Sequence, residues 1–317
     1  MATNEIMKAL NFGVEIEFTG CTRMKAADVV AAYFGTEAGF LGEGYDTYGC
    51  KDREGRTWKV SRDQSINGEK KYKDASGTVH RVVTSDHHYR CELITPILQY
   101  KDLEDLQQIV RDLRQKAYAV TNKSCGIHVH VGAERFLARN LVNIANIFYQ
   151  NEDMLYKAIK CDSQHRDVGY CKKTDESTLG RLNRALKTSG SLEHAWYGHT
   201  NSYHGHYDDS RYHGLNLHAY FTKGTVEFRC FNSELHAGKV KTYVQLCLAM
   251  AQQALTQKRT RDAKRITTNE MYTFRCWLLR LGLIGDEFKT ARHHLLKNLT
   301  GNASWLNGRP EAQEIGA

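Results

Sequence analysis

The sequence predicts an α+β fold, an antiparallel sheet with one open polar face and helices packed on the other, and three strand-like stretches carry that prediction. In Asn11–Thr19 (NFGVEIEFT), Glu15 and Glu17 share one face and Phe12, Val14, Ile16 and Phe18 the other, because successive side chains of a strand point to opposite sides. CGIHVHV repeats the construction with His128 and His130 opposite Ile127, Val129 and Val131. GTVEFRCF repeats it again with Glu227 and Arg229 opposite Val226, Phe228 and Cys230. Strands buried on both faces read as continuous apolar runs, whereas these alternate, which favours an antiparallel sheet with one solvated face over a doubly wound parallel one. Gly13 and Gly126 flank the polar positions, where a backbone can approach a ligand closely.

The remaining elements follow in order. Met24–Gly35 reads as a short Ala-rich helix, and the Gly- and Tyr-rich stretch Gly39–Cys50 as a hairpin arm or loop. Arg56–Asp63 alternates again, with Lys59, Ser61 and Asp63 on one face and Trp58, Val60 and Arg62 on the other. Asn67–Ala75 is polar and charged and reads as a mobile loop. Thr78–Thr84 and His88–Ile94 are strand candidates, the second bringing Glu92 into the sheet before Pro96 ends the pattern. The apolar stripe Leu103, Leu106, Ile109, Val110, Leu113 and Ala117 predicts a helix over Asp102–Val120. Glu134–Lys160 and Ser177–Thr188 are further helices. Six histidines fall between His194 and His218 among Tyr, Gly and Asp; without zinc-helix spacing or a nearby Cys they read as a loop bordering the cleft, where His204 and His206 would govern substrate choice. RYHGLNLHAYF is then an alternating strand, turning at Lys223–Gly224 into the Glu227 strand as a hairpin. Lys239–Gln257, Asn269–Leu281 and Asp286–Leu299 close the chain as helices.

Composition narrows the classes. Nine cysteines without CxxC pairs argue against a disulfide framework or a zinc ribbon. The N-terminus lacks a basic-then-apolar leader pattern. No apolar run approaches the roughly 20 residues of a membrane span. The expectation is a soluble cytoplasmic protein. The formal charge of +8 is concentrated between Lys239 and Lys297, where twelve Lys and Arg face four Asp and Glu. Its densest part, QKRTRDAKR, follows a long helix and reads as a solvated helix end favoured by the helix dipole; a patch for an anion or nucleic acid is the alternative. No Walker loop, GxGxxG or nucleophile elbow is present, which argues against P-loop, Rossmann and hydrolase-elbow chemistry.

Glu, Glu, His, His, Glu and Arg on one open face form the donor set of a divalent-cation site that handles phosphate. FGVEIEF, the Asp63 segment, ELITPIL, SCGIHVHVG and RYHGLNLHAYFTKGTVEFRCFNSEL, in that order from Phe12 to Leu235, resemble the amidoligase family, carboxylate–amine ligases that include glutamine synthetase and glutamate–cysteine ligase. The resemblance implies a glutamine synthetase-like sheet whose open face takes ATP, Mg2+ or Mn2+, a carboxylate substrate and an amine acceptor. By motif it implies that Glu15, His128 and Glu227 hold the metal on the nucleotide phosphates and that Glu17 and Glu92 hold a second metal nearer the substrate. Arg229 would contact the transferred phosphoryl group, with Glu227 as its catalytic neighbour, and Arg211 and Asn216 would join Arg229 in binding the nucleotide. Thr95 stands where relatives more often carry Ser, and the His-rich insertion has no counterpart. One catalytic domain over 1–300 is expected, helical over 237–300, with 301–317 a flexible tail. Two other functions use the same features: a metal-dependent hydrolase or phosphoesterase on the Glu/His face, or a non-enzymatic nucleic-acid binder built on the basic helices.

Overall fold

The computed structural model of the protein describes residues 4–42, 44–161, 169–198 and 208–307. In chain order the strands are β1 (Phe12–Phe18), β2 (Gly39–Phe40), β3 (Tyr48–Lys51), β4 (Thr57–Ser61), β5 (Glu69–Lys73), β6 (Val79–Val83), β7 (Cys91–Ile94), β8 (Gly126–Gly132), β9 (Leu215–Asn216) and β10 (Thr225–Asn232). The helices are α1 (Glu5–Lys8), α2 (Arg23–Phe34), α3 (Leu103–Gln115), α4 (Ala138–Ile159), α5 (Glu176–Thr188), α6 (Leu192–Tyr197), α7 (His218–Lys223), α8 (Ala237–Thr256), α9 (Glu270–Arg280) and α10 (Lys289–Leu296). Eight strands form one sheet in the order β2-β3-β4-β7-β1-β8-β10-β9, and every pairing in it is antiparallel. The α+β class follows as the alternation predicts.

One hydrophobic core runs from Met7 to Leu299. Phe12, Val14, Ile16 and Phe18 of β1 and Ile127, Val129 and Val131 of β8 are all buried in it. Helix α2 covers β3 and β4, α8 covers β8, and α4 reaches β10, so the helical layer seals the apolar face and leaves the other to the polar side chains. Thr22 accepts the Lys25 N–H to start α2, and Gly35 ends it with φ 71°, a conformation glycine adopts without strain.

Four expectations change. Residues read as a mobile loop at Asn67–Ala75 contain β5, which pairs with β6 as a separate two-stranded arm. Both faces of the arm are largely solvated, so no apolar period marks it. It is held instead by Tyr72 stacked on His80, with ring centroids 5.2 Å apart, by the Arg81–Glu69 ion pair, and by Asp74 accepting the Ser76 and Thr78 N–H groups in the turn. The strand expected over RYHGLNLHAYF is only two residues long. Asn216 Oδ1 accepts the His218 N–H at 2.8 Å, turning the chain into α7, so β9 and β10 are joined through a helix rather than a tight turn. Ser191 caps α6 through the His194 N–H, placing a helix at the start of the stretch read as a loop. Finally, the sheet register slips by one residue in β10 between Phe228 and Phe231. Such a bulge re-aims the side chains beside it, here Arg229 and Cys230.

His199, His204 and His206, and residues 308–317 of the expected tail, lie outside the described residues. Asn269 donates to the carbonyls of Trp305 and Leu306 at 2.9 and 3.1 Å, tying that part of the C-terminus to the start of α9. Among the described residues no helix is long and apolar enough to cross a membrane.

Candidate active site

Strand register brings the polar residues together. Glu15 on β1 stands opposite His128 on β8 and Ile94 on β7, and Glu17 stands opposite Glu92. Glu227 on β10 stands between His130 on β8 and Asn216 on β9. All of these but His130 line a cleft of 1040 Å3 with Arg229, Arg211, Lys59, Asp63 and Lys223 on its walls.

His128 occupies the centre. Its Nδ1 lies 3.0 Å from Glu15 Oε2 and 3.8 Å from Glu227 Oε1, and its Nε2 lies 3.7 Å from Glu17 Oε1. Among the described residues two groups have ligand atoms within 4.8 Å of one another, Glu15–His128–Glu227 and Glu17–Glu92–His128. They are the expected first-metal set and the expected second-metal pair, with His128 common to both. A neutral imidazole has one lone pair, so His128 can ligate in one group only and can donate its N–H in the other.

Hydrogen bonds fix these side chains. Asn216 Nδ2 donates to Glu227 Oε2 at 2.6 Å, and Arg229 donates to Glu227 Oε1. Glu17 Oε2 accepts the Gly126 N–H. The backbone N–H of Arg229 donates to Gly214 O at 2.8 Å. Thr95 Oγ1 accepts the Val14 N–H at 2.9 Å; a serine hydroxyl could do the same, so the departure from the family pattern keeps the group that the sheet uses. Asn216, expected at the nucleotide, lines the cleft, donates to Glu227 and accepts the His218 N–H. Arg211 ends a short 3-10 turn on the cleft wall.

The electrostatics divide the cluster. Burial works against charge on Glu15, but His130 and His128 outweigh it and hold the carboxyl well below its usual range. Burial also opposes ionisation of Glu227, and Arg229, His130 and His128 outweigh it, bringing the carboxyl down to about 2. Burial, reinforced by the Arg229 charge, pulls His128 down to about 4, so its imidazole is neutral and able to ligate near neutral pH. Glu92 is the opposite case: desolvation, then the negative charges of Glu15, Glu17 and Asp63, push it well above the carboxylate range. A cation between Glu17 and Glu92 would remove that conflict.

His130 belongs to the site although its role was not singled out in the sequence. Its Nε2 lies 3.3 Å from Glu15 Oε1, and against the effect of burial Glu227 and Glu15 raise its pKa. It stands beside the carboxylates, and its signal was the second histidine of the His-x-His strand. Lys59, Arg62 and Lys223 also line the cleft and carried no signal beyond being basic residues near the motifs.

A family model described as "Putative amidoligase enzyme" matches residues 8–251, well over half of the chain and every strand of the site. The chain belongs to the amidoligase family. The family is the one that the ordered motifs imply. No curated protein matches this amidoligase. Among solved structures it is similar to a bifunctional glutathione synthetase from Pasteurella multocida, at 13% identity and a TM-score of 0.42 over 92% of this chain and 47% of that one. The chain thus spans about half the length of that protein.

Proposed function

We propose that this amidoligase joins a carboxylate to an amine with ATP through an acyl phosphate. The reading rests on one observation: two carboxylate–histidine groups share His128 beside Arg229 in one cleft. A volume of 1040 Å3 is at the upper end of what ligand pockets offer, about 300–1,000 Å3, and suits a nucleotide with a second substrate.

The donor set fits Mg2+ or Mn2+, since hard cations take oxygen ligands and a single imidazole is tolerated. Glu15, Glu227 and His128 would hold the cation on the nucleotide phosphates; Glu17 and Glu92 would hold a second one nearer the carboxylate. Bound there, the cations neutralise phosphate charge and make the γ-phosphorus more electrophilic. The substrate carboxylate oxygen attacks that phosphorus and ADP leaves. The amine then attacks the acyl carbon, inorganic phosphate leaves, and the amine gives up a proton. Arg229 supplies fixed positive charge to the transferring phosphoryl group, for which a planar fork is suited. Glu227 orients Arg229, Asn216 orients Glu227, and Arg211 on the wall offers a further cation to the nucleotide.

A screen for Mg-dependent ADP release against amino acids, polyamines and peptides, with mass spectrometry of products, tests the proposal. It expects ADP and a new amide together. Metal-dependent cleavage of a substrate without ADP would support a hydrolase on the same face instead.

A further inference from the structure

The basic segment after α8 exposes Lys258, Arg259 and Arg261, as a solvated helix end would, but its backbone is also held in place. Residues 257–265 are laced to a polar stripe on α4. Asn143 Nδ2 donates to Gln257 O at 2.7 Å, and Asn146 Nδ2 to Thr260 Oγ1 at 3.1 Å. Thr260 Oγ1 in turn donates to Asn143 Oδ1 at 3.0 Å. Gln150 donates its side-chain amide to Arg261 O and accepts the Arg265 N–H at its own carbonyl. Arg265 Nε donates to Asn151 Oδ1 at 3.1 Å. Asn143, Asn146 and Asn151 are buried; polar groups so placed are retained only with partners, and beside Ala254 O, Asn183 and Ile147 O those partners include the arginine segment.

That lacing brings Arg259, Arg261 and Arg265 together with Arg280 of α9 around a pocket of 180 Å3 whose lining includes Trp277 and Thr260. No Asp or Glu lines it. Among the described residues none of the four arginines makes an ion pair, whereas neighbouring Lys264 pairs with Glu152 and Asp153. Burial and the facing Arg280 together pull the Arg265 guanidinium below its ordinary range. Four cations converging on preorganised backbone without a counter-charge are the reverse of what stability alone favours, and planar guanidinium forks match the oxygens of a phosphoryl group.

We propose that this pocket binds a small phosphorylated ligand, through one or two phosphoryl groups, at a site separate from the catalytic cleft. The two cavities share no lining residue. A recess of this volume suits a phosphate monoester or a diphosphate terminus better than a polynucleotide backbone, which needs an extended track. Occupancy would tie α4 and α9 to the segment 257–265 through Arg259, Arg261, Arg265 and Arg280 and the α4 amides. Helices α4 and α8 also pack on β10 and β8, the strands that carry Glu227 and His128.

Calorimetric titration of the full chain with inorganic pyrophosphate, without divalent metal, provides the test. Arg259 and Arg280 are exposed, so an Arg259→Gln/Arg280→Gln variant is expected to fold, and its pyrophosphate affinity should fall about tenfold or more. Arg265→Lys keeps the charge but loses the fork and should also weaken binding, while Arg211→Gln, which removes a cation from the wall of the catalytic cleft, should leave it within about twofold. Binding that survives the double substitution, or is lost in Arg211→Gln, would place the anion in the cleft and overturn the proposal. Absence of pyrophosphate binding to the wild-type chain overturns it too, including the case in which single-stranded oligonucleotides alone bind with steep salt dependence.

Discussion

Glu15 and His128 face each other across β1 and β8 with Glu15 Oε2 3.0 Å from His128 Nδ1, and Glu227 Oε1 lies 3.8 Å from the same nitrogen. The two carboxylates are not equivalent. Glu227 accepts hydrogen bonds from Arg229 and Asn216, whereas Glu15 has only histidine partners among those described. Glu15→Gln should therefore abolish Mg-dependent ADP release with little change in melting temperature. Glu227→Gln should abolish it and also destabilise by about 3–5 kcal/mol, since it leaves a buried guanidinium without its carboxylate. Chemical denaturation beside an activity assay separates the two; equal stabilities would contradict the assignment of Glu227 as the Arg229 partner.

Metal binding should expel a proton. Desolvation and three neighbouring carboxylates keep Glu92 protonated well above its usual range, and a cation between Glu17 and Glu92 favours the ionised form. Titration of Mg2+ in buffers of different ionisation enthalpy should report net proton release that diminishes as pH rises. Glu92→Gln should release none from this position, and proton uptake in the wild type would contradict the arrangement.

Far from the cleft, His294 makes the fold sensitive to mild acid. Burial, with Lys297, His236, His293 and Lys239 around it, depresses its pKa from 6.5 to about 4. The unfolded chain therefore binds this proton first, so stability contributed by the neutral ring is present above pH 6.5 and is lost as pH falls toward 4. The urea midpoint of the wild type should drop more between those pH values than that of His294→Gln. Parallel pH profiles for the two proteins would rule His294 out as the cause.

Much of the site was legible because strand alternation is a local property. Glu15, Glu17, His128 and Glu227 are placed by the period of two and by apolar neighbours that must face a core. Glu92 came from its short strand and its motif. The parts that were not legible depend on partners distant in sequence. β5 has two solvated faces and so no apolar signal. Asn216 turns β9 into α7 with one side-chain bond, overriding an alternation that continues through Phe221. The β10 bulge adds a residue without altering the pattern of letters. The α4 asparagines look like interruptions of an apolar helix until residues 257–265 are seen hydrogen-bonded to them.

Arg229 is buried and paired with Glu227. Substitution by Lys keeps the charge and removes the fork. Arg229→Lys should still bind ATP with Mg2+ but turn over on the order of a hundredfold more slowly, as when a preorganised donor to developing charge is lost. Near-normal turnover would reduce Arg229 to a structural partner of Glu227, and loss of ATP binding would move its role to the ground state.

The acyl phosphate is tested most directly by isotope transfer. Once the screen supplies a carboxylate substrate, labelling its oxygens with 18O and analysing the released inorganic phosphate by mass spectrometry follows the bond that forms between carboxylate oxygen and phosphorus. The account predicts one labelled oxygen in each phosphate and one ADP per amide formed. Unlabelled phosphate accompanying amide formation would contradict it.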